Sequence, residues 1–196
     1  MSDEIKRPKV MIATPMYGGM CTGMYVLGLL TTMNKMRELG IDVRWAHMIN
    51  ESLITRARNE LARIFLETDC DYLMFIDADI GFDGDAMAHL LAVDEDIVCG
   101  IYPKKEVNWD SVKRAASAGK LDELEHHAGA FVFNMVGGAD AETDDGGVIE
   151  VRHGGTGFML IKREVFEKLK PIVPWYVNDV TDLSGNIGAE QISQYF

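Results

Sequence analysis

The chain has 196 residues, of which 47% are hydrophobic and 26% are charged, a composition typical of one ordinary globular domain. Its 19 basic and 31 acidic side chains give a net charge of −12. This net negative charge argues against a whole-surface attraction to nucleic acid or to an anionic membrane, and it suits a protein that binds divalent cations. The apolar runs are far shorter than the roughly 20 residues that cross a bilayer, so we expect no membrane association and a cytoplasmic location.

Strand and helix patterns alternate through the first hundred residues. The apolar run at 72–76 lacks alternation, which indicates a central strand that is covered on both faces. The alternation predicts an α/β fold of the Rossmann-like, doubly wound kind, with a mainly parallel central sheet and helices on both faces. The predicted strands are 10–14, 42–48, 72–76 and 96–102, and the predicted helices are 20–39, 53–66 and 85–92.

The rhythm changes after Pro103, where shorter and more mixed elements follow. Here we predict helices at 110–118 and 163–169, and strands at 130–135, 148–152 and 157–161. The last two strands are predicted to join through a tight turn at 153–156, which is rich in glycine. The simplest organisation is a single domain over 1–196, with an α/β first half at 9–103 and an α+β second half at 104–196.

Two carboxylates follow the predicted central strand directly, in the stretch Asp77-Ala78-Asp79. Residues two apart in an extended chain point the same way, so both carboxylates are expected to project together from the strand's carboxyl end. Ligands of open α/β sheets bind at that end. Two close carboxylates repel each other unless a positive charge lies between them, and Mg²⁺ or Mn²⁺ prefers such oxygen ligands. The pattern therefore predicts a divalent metal site formed by Asp77 and Asp79.

The same segment resembles the DXD region of GT-A-fold, family-2-like glycosyltransferases, which transfer a sugar from a nucleotide-sugar donor. Four further segments resemble that family in the same order along the chain. The five segments are VMIATPMY (10–17), SLITRARN (52–59), DYLMFIDADIGF (71–82), VCGIYPKK (98–105) and GGTGFMLIKREVFEK (154–168). The combination is similar to small soluble glycosyltransferases, several of them from bacteriophage and some acting on modified DNA bases.

The resemblance implies a GT-A fold, a UDP- or GDP-sugar donor, a Mn²⁺ or Mg²⁺ cofactor and transfer of a hexose to a saccharide or to a modified DNA base. It implies that Asp77 contacts the ribose or a metal-bound water and that Asp79 ligates the metal. The side chains implied to bind the nucleotide are Thr14, Pro15, Tyr17, Arg56, Arg58 and Asn59, together with the Asp77-Ala78-Asp79 stretch.

The acceptor side is expected in the glycine-rich turn of the second half. By the resemblance, Gly155, Thr156 and Gly157 border the transferred sugar and the acceptor, and His153 is placed to reach the sugar pocket. The family also carries a downstream acid that serves as general base. In this chain our candidates for that base are Asp182 and Glu190, and the alternative is that the sequence is a truncated form.

Two other functions stay open at this stage. A Rossmann-type dinucleotide-binding oxidoreductase is suggested by Gly18, Gly19 and Gly23 after the first strand, with Asp42 about twenty residues further on. The spacing of these glycines differs from G-x-G-x-x-G, and this alternative leaves Asp77 and Asp79 without a functional role. The other is a non-catalytic module that binds a nucleotide sugar without a general base. The sequence leaves open the sugar, the acceptor, the anomeric outcome and the oligomeric state.

Overall fold

A computed structural model describes residues 7–137, 143–144, 147–177 and 191–196. Among these residues the strands are β1 (Lys9–Met16), β2 (Asp42–Ile49), β3 (Tyr72–Ile76), β4 (Ile97–Cys99), β5 (Phe133–Met135), β6 (Val151–Gly154), β7 (Phe158–Lys162), β8 (Trp175–Val177) and β9 (Gln191–Ser193). The helices are α1 (Gly23–Leu39), α2 (Ile54–Leu66), α3 (Ala86–Val93), α4 (Trp109–Ser117) and α5 (Arg163–Leu169). None of the described helices is long and apolar enough to cross a membrane.

A five-stranded mixed sheet has the strand order β2-β1-β3-β7-β4. Strand β1 pairs in parallel with both β2 and β3, which confirms the predicted α/β class. Strand β7 lies antiparallel to β3, with Tyr72 opposite Lys162 and Ile76 opposite Phe158. The sheet is therefore mixed and mostly parallel, as predicted, but a strand from later in the chain, β7, separates β3 from β4.

Helices cover both faces of this sheet, as the sequence predicts. The Thr14 hydroxyl bonds the hydroxyl of Tyr25 on α1. The neighbouring residue Ala13 is in register with Phe75, whose ring lies under the guanidinium of Arg58 on α2. Because successive strand residues face opposite ways, α1 and α2 lie on opposite faces. Between the two helices, the apolar residues of β3 from Leu73 to Ile76 are fully buried.

The segment after the two aspartates packs closely against α1. A Cβ added at Gly28 would come within 2.7 Å of the main-chain oxygen of Phe82, so only glycine allows this approach. The Phe82 ring then fills the space between the elements, with its centroid 6.1 Å from that of Tyr25 and 5.3 Å from that of Phe158. This packing fixes the course of the chain that leaves the sheet after Asp79.

The chain forms two compact units. One contains the described residues within Met1–Val98 and Thr156–Phe196, and the other contains those within Cys99–Gly155. The second unit holds α4, a 3-10 helix at Leu121–His127 and an antiparallel pair of β5 with β6. Strand β7 and helix α5, which lie in the second half of the sequence, belong to the first unit.

The turn at 153–156 does not close a hairpin, which corrects the predicted turn. Strand β6 pairs with β5, where His153 lies opposite Asn134, whereas β7 pairs with β3. Burial explains the difference, because β7 is apolar and buried from Phe158 to Ile161 and joins the central sheet. The strand predicted over 96–102 is also shorter, because β4 ends at Cys99. Beyond it, the main-chain oxygen of Tyr102 accepts a hydrogen bond from the N–H of Val132.

Arg163 closes the carboxyl end of α2. It begins α5, and its guanidinium donates to four main-chain oxygens, those of Phe65, Leu66, Thr68 and Cys70. It also lies 4.5 Å from the centroid of the Phe65 ring. The last carbonyls of a helix lack partners within the helix and carry partial negative charge, so a fork-shaped cation satisfies both needs.

We expect Arg163→Ala to lower the free energy of unfolding by about 2–3 kcal/mol, because several main-chain oxygens lose a charged donor. Urea denaturation would measure this loss. Arg163→Lys is the matched control, since it keeps the positive charge but loses the fork-shaped guanidinium. Its free energy of unfolding should lie between those of the wild type and the alanine variant. Equal stability of the wild type and the alanine variant would contradict this role for Arg163.

Candidate functional site

The two aspartates lie in a turn at the carboxyl end of β3. The main-chain oxygen of Asp77 accepts from Ile80 at 3.1 Å, so the chain bends directly after the strand. The N–H of Asp77 donates to the oxygen of Gly157 at 2.8 Å, and the oxygen of Ala78 accepts from Thr22 at 2.9 Å. The turn is thus held by the residue before β7 and by the start of α1. The direction of Asp79 relative to Asp77 follows from this turn and not from strand alternation.

Asp77 is paired with an arginine of α2. Its Oδ1 lies 2.7 Å from Nη2 of Arg58, and the side chains are 30% and 9% exposed respectively. The Arg58 guanidinium also lies 6.0 Å from the centroid of the Phe75 ring. Within the described residues, Nε of Arg58 is buried and has no hydrogen-bond acceptor. A cation therefore already compensates one of the two carboxylates at the end of the strand.

The second arginine predicted to approach the nucleotide, Arg56, is held by a glutamate that the sequence analysis missed. Nε and Nη2 of Arg56 donate to the Glu51 carboxylate at 2.7 and 3.1 Å, and the N–H of Leu53 donates to it at 2.9 Å. Burial alone would raise the pKa of Glu51, but the Arg56 and backbone hydrogen bonds lower it overall. An acid just ahead of a helix start was the available signal, since acids favour helix N-termini.

Asn59, a predicted nucleotide contact, is engaged with the segment 191–196. Its side chain is buried, and its Oδ1 accepts from the N–H groups of Tyr195 and Phe196 at 2.8 and 3.0 Å. Its Nδ2 donates to the main-chain oxygen of Phe196 at 3.3 Å. The ring of Phe196 then packs edge-on against Phe75, with centroids 5.2 Å apart. Asn59 thus anchors the segment 191–196 against α2 and β3.

The predicted nucleotide-binding loop after β1 divides into buried and exposed residues. Thr14 and Pro15 are buried, and Tyr17 is 68% exposed. The Thr14 hydroxyl bonds the hydroxyl of Tyr25, and the indole N–H of Trp45 donates to both oxygens, at 3.3 Å to Thr14 and at 3.1 Å to Tyr25. Of the three predicted contacts Thr14, Pro15 and Tyr17, Tyr17 is the one that presents its side chain to solvent.

The residues predicted for the acceptor side fall in both units. Thr156 and Gly157 belong to the first unit, where Gly157 meets Asp77. His153 and Gly155 belong to the second unit. Gly155 is packed so closely that an added Cβ would lie 2.2 Å from the hydroxyl oxygen of Tyr102. The two candidates for the general base, Asp182 and Glu190, lie outside the described residues.

The described residues contain no group of three or more His, Cys, Asp or Glu side chains that could hold a metal ion. A metal that shares its ligands with a bound diphosphate needs only one or two carboxylates from the protein. Asp79 is exposed, and Asp77 engages Arg58 through Oδ1. These residues therefore fit a Mn²⁺ or Mg²⁺ ion that substrate phosphates help to bind, and they do not form a complete metal cage.

The glycines and the acid that suggested a dinucleotide site lie at opposite ends of the sheet. Gly18 and Gly19 follow the last residue of β1, whereas Asp42 begins β2 and is in register with Lys9, the first residue of β1. At about 3.3 Å per residue, the length of β1 separates them by roughly 25 Å. A ribose-binding acid has to lie near the glycine-rich loop, and Asp42 does not.

Comparisons with known proteins identify no family for this chain. A scan against protein-family models found no match. A search of curated proteins also found no match. The function therefore has to be argued from the site itself.

Glu51 should make stability depend on pH in the acid range. A carboxyl whose pKa is lower in the folded than in the unfolded protein adds stability above its unfolded pKa, and this contribution is lost as the pH falls through the folded value. The ordinary value is 4.5, so the loss should begin near that pH and continue below it. Glu51→Gln should lower the free energy of unfolding by about 1–2 kcal/mol at neutral pH, because Arg56 loses a charged acceptor.

Urea denaturation of the wild type and of Glu51→Gln between about pH 7 and pH 3 would test this pH dependence. The difference between their free energies of unfolding should shrink as the pH falls. Glu150→Gln serves as a charge-matched control, because Glu150 is exposed. A difference between wild type and Glu51→Gln that stays constant across the range would contradict the prediction.

Asn59 should stabilise the protein through the segment 191–196. We expect Asn59→Ala to lower the free energy of unfolding by about 2 kcal/mol, because two main-chain N–H groups lose their acceptor. The amides of Tyr195 and Phe196 should then exchange hydrogen faster, and this local effect is measurable by NMR. Asn59→Asp keeps the acceptor oxygens and should protect these amides better than alanine does. Unchanged exchange in the alanine variant would show that the segment is anchored by its rings alone.

Proposed function

We propose that the chain is a metal-dependent glycosyltransferase that transfers a hexose from a nucleotide-sugar donor. The observation that carries the proposal is the Asp77-Ala78-Asp79 turn at the carboxyl end of β3, joined through its backbone to Gly157. Two segments that resemble separate parts of the family thus meet at one edge of the sheet. Arg58 belongs to a third such segment, and its guanidinium reaches Asp77 from α2. The resemblance of all five segments, in order, supports the same function.

The chemistry of the transfer suits this edge. The leaving group is a nucleoside diphosphate, whose negative charge grows as the bond to the sugar breaks, and a bound Mn²⁺ or Mg²⁺ ion would neutralise that charge as a Lewis acid. Asp79, with Asp77 beside it, would hold the ion. Tyr17, the first residue after β1, is exposed and would offer an aromatic surface for the nucleotide base.

The acceptor has to be activated by a base, since a hydroxyl is a poor nucleophile at neutral pH. Asp182 and Glu190 remain our candidates for this role. A saccharide acceptor suits the net charge of −12 better than DNA does. A modified DNA base is the alternative acceptor, and we propose no membrane partner and a cytoplasmic location.

Two other functions are weaker. The position of Asp42, at the opposite end of the sheet from Gly18 and Gly19, gives a dinucleotide-binding oxidoreductase no support. A non-catalytic module that binds a nucleotide sugar would use the same turn, so product analysis separates it from the enzyme. Slow hydrolysis of the bound donor, without an acceptor, is expected of the enzyme and not of the module.

The test is calorimetry with Mn²⁺ and a panel of UDP- and GDP-sugars. We expect at least one donor to bind, and Asp79→Ala to weaken that binding by about tenfold or more, because the diphosphate then lacks its counter-ion. Asp83→Ala removes an exposed carboxylate four residues further on and should leave binding within about twofold. If no donor binds, or if Asp79→Ala binds as well as the wild type, the proposed function is wrong.

A further inference from the structure

We propose that Arg58 and Asp77 form a resting ion pair that a diphosphate ligand takes apart, so that phosphate oxygens become the partners of Arg58 and the Asp77 carboxylate is released. This inference rests on the function proposed above and concerns how the same site is loaded. It assigns Arg58, and not only a metal ion, to the recognition of the diphosphate. It also makes Asp77 a competitor of the ligand until a cation takes its charge.

Burial dictates that the exchange has to be direct. The Arg58 side chain is only 9% exposed, and a buried guanidinium without an anionic partner is strongly disfavoured. Asp77 is 30% exposed, so it is the member of the pair that solvent and a ligand reach more easily. An anion that offers its own oxygens to Arg58 can displace Asp77, whereas an uncharged ligand cannot replace the lost charge.

The resting pair also leaves one donor of Arg58 unused. Asp77 accepts from Nη2, while Nε is buried without an acceptor in the described part of the chain. A buried donor without a partner costs free energy and calls for an explanation. A phosphate group has several acceptor oxygens and can engage two guanidinium N–H groups at once. The exchange would therefore replace one hydrogen bond with two.

The surrounding residues keep the guanidinium in place during such an exchange. The Phe75 ring lies 6.0 Å from Arg58, and Phe196 packs edge-on against the same ring. Asn59, the next residue along α2, holds the main chain of Phe196. The cation is thus fixed from its apolar side, and only its anionic partner has to change.

Removal of the Asp77 charge gives the decisive test. UDP and inorganic pyrophosphate are titrated into the protein by calorimetry without a divalent cation. If Asp77 competes for Arg58, Asp77→Asn should bind both probes about tenfold more tightly than the wild type. If Asp77 serves only as a metal ligand, the variant should gain nothing under these conditions. Asp83→Asn has the same change of charge at an exposed position and should alter affinity by less than about twofold.

Arginine side-chain NMR of the wild type supplies a second readout, which stands if Asp77→Asn fails to fold. The Nε–H signal of Arg58 should shift when pyrophosphate alone is added, and Arg58→Lys should weaken pyrophosphate binding by about tenfold, since it loses the fork. An unmoved Nε–H signal at saturating pyrophosphate, or a folded Asp77→Asn protein with unchanged affinity, would overturn the proposal.

The two probes separate this inference from the proposed function. Binding of pyrophosphate with the expected gain in Asp77→Asn, but without binding of any UDP- or GDP-sugar, would support the exchange and reject the glycosyltransferase. Binding of a nucleotide sugar without the gain would reject the exchange alone. A wild-type protein that binds neither pyrophosphate nor UDP without a divalent cation would reject the exchange, and the titrations with Mn²⁺ and nucleotide sugars would then decide the proposed function alone.

Discussion

The ion pair between Arg58 and Asp77 is the interaction on which the site depends. A carboxylate at the end of a buried strand needs a positive partner, and Arg58 supplies it from α2 at 2.7 Å. Arg58 is itself buried, so its charge is strongly disfavoured without an anionic partner. The exchange proposed above follows from this constraint, because only a ligand with negative charge of its own could take the place of Asp77.

Helix α2, which carries this arginine, is held at both ends. Glu51 binds Arg56 near the start of the helix, and Arg163 donates to the carbonyls at its end. Asn59 ties its middle to the segment 191–196. One local contact and two contacts between distant parts of the chain thus hold one helix, and the position of Arg58 depends on them.

Local patterns in the sequence predicted the elements but not their neighbours. The apolar run before Asp77 indicated a buried strand, and the helix predicted over 20–39 ends at Leu39 in α1, with Gly40 after it in a left-handed conformation. Nothing local indicated that β7 would insert between β3 and β4, because pairing depends on which distant apolar run fills the gap. The same reason explains why the contact of Asn59 with the segment 191–196 was not predicted. Its partner is set by tertiary packing, whereas a family resemblance transfers roles by position along the chain.

The antiparallel insertion of β7 is what makes a site at this edge. In a purely parallel sheet, only loops that follow strands reach the carboxyl end. An antiparallel neighbour of β3 has its first residue at that end, so the residues that precede it arrive beside Asp77. Gly157 takes this position, and its main-chain oxygen accepts from the Asp77 N–H. Loops that are eighty residues apart in sequence therefore share one edge, where one contributes carboxylates and the other a main-chain acceptor, and the sheet topology brings them together.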